Sequence, residues 1–297
     1  MADARLDWLG CATFRFTVGP TVVFLDAYLD RISTAPPVGI TTADVDRADW
    51  IVVGHSHFDH AYGAEKIALR TGAKILGSYE TIRIMGRAGV PAEQLVPVSG
   101  GEHVQLGPDL TVRVLPGIHS CLWAKNAGQA HEACFGDLDV LQHERDARLG
   151  DMGKWISALG PEVTEHLHGA AQGALGDGGA LLFLFETPDG SVLYQDTSGH
   201  WSGILEHLRP DVAILAAAGR GNVDGEPTQG SLAQFIARET ELLRPRRVLL
   251  GHHDDWMPGF SVPLDPAPIR SELATRLPDV DFLEMGYLEN RALFSGL

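Results

Sequence analysis

The feature that most constrains this chain is the segment GHSHFDHAYG, which directly follows the apolar run Trp50–Val53. That run is continuous and bounded by polar residues, so it predicts a central strand covered on both faces. Four side chains that bind metals follow it within six positions: His55, His57, Asp59 and His60. Imidazoles and carboxylates are ligands of zinc and similar divalent ions. The segment therefore predicts half of a metal site, although a polar, histidine-rich loop is the simpler alternative.

Three later segments with strand character also end in histidine or aspartate, the same metal-binding residue types. LTVRVLPGIHS places His119 just past a strand, SVLYQDTSGH ends one at Asp196, and RRVLLGHHDDW ends one at His252 and His253. Loops at strand ends can converge at one edge of a sheet. Each residue alone has an ordinary alternative, because a strand-end histidine is often solvated and Asp196 could begin a turn. Together with the first cluster they predict a complete metal site. An unpaired buried carboxylate is costly, and a bound metal ion would compensate that cost.

The rest of the chain alternates predicted strands and helices, which indicates an α/β fold. Strand-rich stretches followed by helices occur in both halves and suggest a duplicated unit, although the halves share no obvious sequence repeat. Residues 121–179 interrupt this alternation with a polar, Gly/Ala-rich segment. Two helices are predicted there, one carrying Trp155 and Ile156 on its apolar face and one beginning at Pro161.

Charge and targeting signals limit the classes of partner. The net charge is −16, with 39 acidic and 23 basic residues. The sequence has no concentrated run of basic residues, which argues against a nucleic-acid partner. The N-terminus lacks the pattern of a secretory signal and no stretch is apolar enough for a membrane span, so we expect a cytoplasmic protein with no membrane partner. Cys11, Cys121 and Cys134 are irregularly spaced, which predicts free thiols that serve in packing.

The ordered set of histidines and aspartates resembles the metallo-β-lactamase fold superfamily. The opening DWLGCATFRF and the lead-in DRADWIVVGHSHFDH are most similar to its lactonase-like hydrolase branch, which includes the ascorbate-phosphate lactonases. The resemblance covers nearly the whole chain apart from residues 121–179. It implies that residues 1–297 form one domain, an α/β fold built as a four-layer αβ/βα sandwich. Residues 121–179 would then be a helical insertion or lid near the active site.

The resemblance also implies two divalent metal ions, with zinc expected and manganese or iron as alternatives. The implied ligands are His55, His57 and His119 for the first ion, Asp59, His60 and a late histidine for the second, and Asp196 as a bridge. For the late histidine we favour His252, which directly follows the strand, over His253. Asp26 resembles a position behind the site and would orient a ligand, unless it is only a turn residue. His200, close to Asp196 in sequence, is a further candidate for the pocket or for support of the ligands.

The implied chemistry is hydrolysis of a small ester, lactone or phosphoester by a hydroxide held between the two ions. Asp59 would be both a ligand and a catalytic residue that orients the hydroxide or carries its proton. Alternatives are a phosphodiesterase or nuclease of the same fold, or a non-catalytic metal-binding scaffold, which would predict broken ligands. A small-molecule substrate is expected, and a homo-oligomer is left open.

Residues 121–179 are expected to decide the substrate, because an insertion beside a strand-end site commonly forms a lid or pocket wall. The candidates to line the pocket are Trp123, His131, His143, Trp155, His166 and His168. The alternative is a helical pair packed on the domain, with its histidines in solvent.

Overall fold

A computed structural model describes residues 4–125 and 132–297 of the chain. The strands are β1 (Ala4–Trp8), β2 (Phe14–Val18), β3 (Thr21–Leu25), β4 (Trp50–Val52), β5 (Lys74–Gly77), β6 (Leu95–Pro97), β7 (His103–Gly107), β8 (Leu110–Pro116), β9 (Leu181–Thr187), β10 (Gly190–Gln195), β11 (Gly199–His200), β12 (Val212–Ala216), β13 (Asn222–Val223), β14 (Glu226–Pro227), β15 (Arg247–Gly251), β16 (Asp281–Phe282) and β17 (Arg291–Ala292). The helices are α1 (Phe58–Ala61), α2 (Ala64–Thr71), α3 (Tyr79–Arg87), α4 (Gln142–Ser157), α5 (Pro161–Ala170), α6 (Ser202–Leu205), α7 (Leu232–Leu243) and α8 (Ala267–Arg276).

Most strands belong to two seven-stranded sheets with the same internal pattern. The first runs β17-β1-β2-β3-β4-β5-β6 and the second runs β7-β8-β9-β10-β12-β15-β16. In each sheet three antiparallel pairings are followed by three parallel ones. This common order is what the suggested duplication predicts. The short strands β11, β13 and β14 form a third sheet that the sequence pattern does not predict.

The two large sheets face each other across the main apolar core. Leu6 and Phe16 of the first sheet and Phe183 and Tyr194 of the second belong to this core, and all four are at most 1% exposed. A second apolar cluster joins the outer face of the first sheet to α2 and α3, and a third joins the second sheet to α7 and α8. The layer order is therefore helix, sheet, sheet, helix, and the predicted αβ/βα sandwich is confirmed. Strand β4 is buried throughout, as its continuous apolar run predicts.

Five strand ends deliver the candidate site residues to one edge of this sandwich. Asp26 follows β3, the histidine cluster follows β4, His119 follows β8, Asp196 follows β10, and His252 follows β15. Strands β3 and β10 occupy equivalent places in their sheets, because each is the strand at which antiparallel pairing changes to parallel. The fold thus brings one aspartate from each sheet to the same edge.

Helices α4 and α5 account for the two helices predicted within residues 121–179, and α5 begins at Pro161 as expected. Helix α5 packs through Val163 on a small apolar cluster that includes Tyr28 and Trp256. Helix α4 buries none of its residues fully. His131 lies outside the described residues. Across residues 4–125 and 132–297, no helix combines the length and apolar character needed to cross a membrane.

Candidate metal centre

All seven predicted ligands converge, and their donor atoms fall into three groups, two of which share His55. Within each group the donor atoms lie within 4.8 Å of one another. The groups are His55, His57 and His119; His55, His60 and Asp196; and Asp59, His252 and Cys11. Cys11 is the one member that the sequence does not predict.

The first group is a compact triad of imidazoles. The His55 Nε2 atom lies 3.0 Å from His57 Nδ1, and the His119 ring centroid lies 4.6 and 4.7 Å from those of His55 and His57. In an extended backbone, side chains two residues apart point to the same side, so His55 and His57 can lie against each other. The other nitrogen of His55, Nδ1, lies 2.6 Å from Asp196 Oδ2. Asp196 therefore sits directly beside the triad.

The second set of donors surrounds the carboxylate of Asp59. Its Oδ2 atom lies 3.2 Å from His252 Nε2 and 3.5 Å from His60 Nε2. His60 Nδ1 lies only 2.6 Å from Asp26 Oδ2, and Nδ1 also lies 3.4 Å from Asp196 Oδ2. The Nε2 atom of His60 thus faces the cluster while Nδ1 is held from behind.

Asp26 has the contacts of a residue that orients a ligand. Besides His60, it accepts hydrogen bonds from the Gly54 backbone N–H at 2.9 Å and from the Tyr194 hydroxyl at 2.6 Å. A carboxylate behind a histidine fixes the direction of the ring and raises its basicity as a metal ligand. This geometry supports the orienting role over that of a simple turn residue.

The backbone around the site is held in an uncommon conformation at three non-glycine residues. Asp26, His252 and Cys11 have φ angles of 54°, 63° and 48°. Each such residue costs about 1–3 kcal/mol and persists only where the surroundings enforce it. The His252 N–H donates to the Cys11 carbonyl at 2.7 Å, which couples two of the three.

Burial and neighbouring charges set the protonation of the imidazoles. Burial holds the pKa of His55 and His57 well below the usual range, and neighbouring histidines lower both pKa values further. Burial also lowers the pKa of His119. These three rings are therefore neutral near pH 7, which is the form that binds a metal ion. At His60 burial also opposes the charged form, but Asp59 and Asp26 outweigh it and raise the pKa.

Burial and neighbouring charges also set the pKa values of the three carboxylates. Burial would raise the pKa of Asp59, yet the charges of His60 and His252 hold it well below its usual range. Burial raises the pKa of Asp196, and it raises the pKa of Asp26 to about 6. Asp196 Oδ1 is fully buried and has no hydrogen-bond partner among the described residues. A cation between Asp196 and the neutral imidazoles would satisfy that oxygen, so the residues present fit a divalent metal.

The two remaining candidates, His253 and His200, belong to none of the three donor groups. His253 stacks on Trp8 with ring centroids 4.5 Å apart, so the neighbouring His252 is the one that reaches Asp59. His200 turns away in β11, and its Nδ1 lies 2.7 Å from Glu239 Oε1 on α7. Proximity to Asp196 in sequence therefore does not bring His200 into any of the three donor groups.

The donor groups form the floor of a cleft of about 1170 Å³. The floor exposes His57, Asp59, His60, His119 and His252. The apolar wall consists of Phe58, Leu122, Trp123, Met152, Trp155, Ile156, Leu167, Trp256, Phe260, Val262 and Leu264.

The pocket candidates of residues 121–179 divide into two sets. Trp123, Trp155 and His168 line the cleft, whereas His143 and His166 do not belong to its lining. His166 instead lies 2.9 Å from the Tyr28 hydroxyl through its Nε2 atom. Phe260, which stacks on Trp155 at 5.9 Å, is a wall residue that the sequence does not predict, because it belongs to no motif.

Comparisons with known proteins assign the chain to a family. A family model described as "Beta-lactamase superfamily domain" matches residues 21–181, more than half of the chain. A "UPF0173 metal-dependent hydrolase" of Pyrobaculum arsenaticum is 30% identical over 117 residues, which are 39% of this chain and 51% of that protein. A protein of the same description from Anaeromyxobacter dehalogenans is 34% identical over 131 residues, 43% of this chain and 47% of that protein. The matches thus span about half the length of these curated relatives.

Among solved structures, Igni18, a metallo hydrolase from Ignicoccus hospitalis, superimposes with a TM-score of 0.64 at 18% sequence identity. The superposition covers 97% of each chain, which shows a shared metallo-β-lactamase fold over nearly the whole molecule. The fold and the family model agree. The chain belongs to the beta-lactamase superfamily.

Proposed function

We propose that the protein is a binuclear metal-dependent hydrolase that cleaves a small, largely apolar ester or lactone. The observation that carries the proposal is the pairing of a floor rich in imidazoles, with the Asp59 carboxylate among them, with an apolar wall. A concave, mostly apolar pocket with a few convergent polar groups is the usual form of a small-molecule site. The curated relatives are described as metal-dependent hydrolases, which is consistent with this activity.

The residues that would hold the ions are those of the floor and the two buried residues beneath it. His55, His57 and His119 would bind one ion, Asp59, His60 and His252 the other, and Asp196 both. Two divalent ions so placed would lower the pKa of a shared water and polarise a substrate carbonyl or phosphoryl oxygen. No serine or cysteine nucleophile is required.

Asp59 has the properties of a group that orients the attacking water. Its carboxylate lines the cleft, and its lowered pKa keeps it ionised at neutral pH. An ionised carboxylate accepts a hydrogen bond and so fixes the direction of the water's lone pair toward a bound carbonyl. A low pKa makes it a weak store for the proton, so we assign it orientation rather than proton storage.

The wall supports an apolar substrate. Trp155, Phe260 and Trp256 present aromatic surface above the floor, with Trp256 and Phe260 ring centroids 5.5 Å apart. Such surface would hold an acyl or aryl group and exclude water from the reacting carbonyl. The same ions could also polarise a phosphoester, but the described wall residues contribute no cationic side chain to hold a phosphate.

The charges of the cleft disfavour the nuclease alternative. A nucleic-acid channel needs unpaired Lys or Arg side chains along the phosphate path. Two basic residues line this cleft, Lys125 and Arg148, and both lie within 3.8 Å of the Asp137 carboxylate. The single carboxylate offsets one of the two charges, and no other Lys or Arg among the described residues lines the cleft.

The proposal is tested by the hydrolysis of three chromogenic substrates by metal-loaded protein: an aryl acetate, an aromatic lactone and bis(p-nitrophenyl) phosphate. We expect metal-dependent turnover of the first two to exceed that of the phosphodiester and to be lost in His57→Ala. Turnover of the phosphodiester alone would favour the nuclease alternative. No metal-dependent turnover of any of the three, with two ions bound, would favour a scaffold.

The lactonase-like branch, zinc as the native metal, a cytoplasmic location, residues 121–179 as a lid of a single domain, and a homo-oligomeric state remain predictions from the sequence. Each fits a small-molecule hydrolase, and the substrate series above tests the first of them most directly.

A further inference from the structure

Cys11 lies in the loop between β1 and β2, at the edge of the candidate metal centre. It is fully buried and its backbone adopts the left-handed region, with a φ of 48°. On one side it packs in the small apolar cluster that contains Tyr28 and Trp256. Packing alone would be served by any small apolar residue, so the neighbours of the thiol itself decide its role.

Those neighbours are metal-binding side chains. Cys11 Sγ, a carboxylate oxygen of Asp59 and a ring nitrogen of His252 all lie within 4.8 Å of one another. Three donors grouped this closely could bind one ion after small shifts of the side chains, since Zn–S bonds are about 2.3 Å and Zn–N bonds about 2.0–2.1 Å. Within the described residues, the thiol has one hydrogen bond, which it donates to the backbone carbonyl of Asp59 at an S···O distance of 3.5 Å.

The loop of Cys11 is fixed to the loop of His252 by the backbone. The Cys11 carbonyl accepts from the His252 N–H at 2.7 Å, and the Cys11 N–H donates to Asp254 Oδ1 at 2.8 Å. Asp254 is in turn held by Arg31, whose Nη1 is 2.9 Å from Oδ2, and by the Tyr287 hydroxyl at 2.7 Å. The thiol and the imidazole are therefore presented as one rigid unit, which is what a ligand pair needs.

We propose that Cys11 supplies a thiolate to the ion held by Asp59 and His252. The inference rests on the metal centre of the proposed function and adds a ligand to it. On binding, the S–H bond breaks, its proton passes to solvent, and the sulfur forms a bond to the ion, with no change of oxidation state. The first ion would have nitrogen and carboxylate ligands alone, whereas the second would also have sulfur.

This difference has a consequence for metal choice. Thiolates favour zinc and other soft or borderline ions over manganese and magnesium, which prefer oxygen ligands. The second position would therefore select zinc more strongly than the first. Replacing Cys11 by serine would weaken that preference while keeping the size of the side chain.

The test is X-ray absorption at the zinc edge of protein loaded with two zinc ions. We expect a sulfur shell at about 2.3 Å in addition to nitrogen and oxygen neighbours at about 2.0–2.2 Å. Cys11→Ser should lose the sulfur shell and retain its circular dichroism spectrum. Cys121→Ser is the matched control, because Cys121 is also free and buried but belongs to none of the donor groups.

Each result decides the matter. Nitrogen and oxygen shells alone in wild-type protein with two bound ions would overturn the thiolate and leave the proposed hydrolase intact. A sulfur shell that persists in Cys11→Ser would overturn it as well, by assigning the sulfur to another residue. Failure to bind zinc at all would overturn both proposals. If Cys11→Ser does not fold, the Cys121→Ser, Cys134→Ser double variant, which keeps Cys11 as its single cysteine, must still show the shell.

Discussion

The floor and the wall of the cleft are built in opposite ways. Floor residues come from strand ends of both sheets and are joined by short polar contacts, such as the 2.6 Å contact between His60 and Asp26. Apart from Phe58 on α1, wall residues come from residues 121–179 and from the loop after His252, and they meet through apolar surface. Trp155 on the wall is 47% exposed, whereas His55 beneath the floor is completely buried.

This difference separates the chemistry from the choice of substrate. A floor anchored to two sheets holds its donors within the small tolerances that a metal site requires. The part of the wall that lies on α4, a helix with no fully buried residue, can vary without disturbing the sandwich. We therefore expect changes in the floor to affect every substrate, and changes in the wall to affect some substrates and spare others.

The largest effect is expected for Asp196→Ala. The substitution removes the proposed bridge between the ions and the partner of His55. Loss of several kcal/mol of metal-derived stabilisation corresponds to a fall in kcat/KM on the order of 10³-fold or more for every substrate. The measurement is kcat/KM for an aryl ester after metal loading, with Asp109→Ala, an exposed turn residue, as the control. Substantial activity in Asp196→Ala would remove Asp196 from the metal centre.

The next largest loss of activity is expected for Gly54→Ala, a steric change directly beneath the floor. A Cβ atom on Gly54 would lie 2.0 Å from Asp196 Oδ2, so Gly54→Ala must displace that carboxylate. Misplacement of a reacting group by about 1 Å can cost roughly 10²-fold in rate. Gly150→Ala on α4, where a Cβ meets no atom within 4 Å, is the matched control and should leave kcat/KM unchanged. Equal activity in the two variants would contradict the placement of Asp196.

A smaller effect is expected behind the floor. Asp26→Asn keeps the shape of the side chain but removes the charge that faces His60 Nδ1. Loss of such a partner lowers metal affinity by about 10–100-fold. Competition with a chromogenic chelator measures this affinity, and Asp30→Asn, whose carboxylate pairs with Lys66, should behave as wild type. An unchanged affinity in Asp26→Asn would assign Asp26 to the turn alone.

The smallest effect, and the only selective one, is expected on the wall. Trp155→Ala removes a ring that stacks on Phe260, and aromatic pairs contribute about 0.5–1.5 kcal/mol beyond area burial. We expect KM for an aryl ester to rise about 2–10-fold while kcat/KM for methyl acetate stays constant. Phe135→Ala, from the same segment but 80% exposed and absent from the cleft lining, is the control. An equal loss of kcat/KM for both substrates would indicate that Trp155 supports the metal centre and does not select the substrate.

The floor could be predicted because few residue types bind metals and because strand ends place them predictably. His55 and His57 follow a strand recognisable from its apolar run, and His119, Asp196 and His252 follow strands of the same kind. The two large sheets were predictable for the same reason. The sheet formed by β11, β13 and β14 was not, since two-residue strands carry no periodic pattern.

The wall could be predicted only in part. The apolar face of α4 indicates that Trp155 packs somewhere, but the sequence does not say where the helix docks. His200 shows the same limit, because the backbone of β11 turns its ring toward Glu239 despite its proximity to Asp196 in sequence. Cys11 carries no local signal, since its partners Asp59 and His252 are 48 and more than 200 residues away.

The central claim is that the floor binds two metal ions. Elemental analysis of protein purified without chelator, with the chain quantified by amino-acid analysis, tests it most directly. We predict about two divalent ions per chain in the wild type and a clear deficit in Asp196→Ala. A metal content near zero in gently handled wild-type protein, which also failed to take up zinc on titration, would contradict the account.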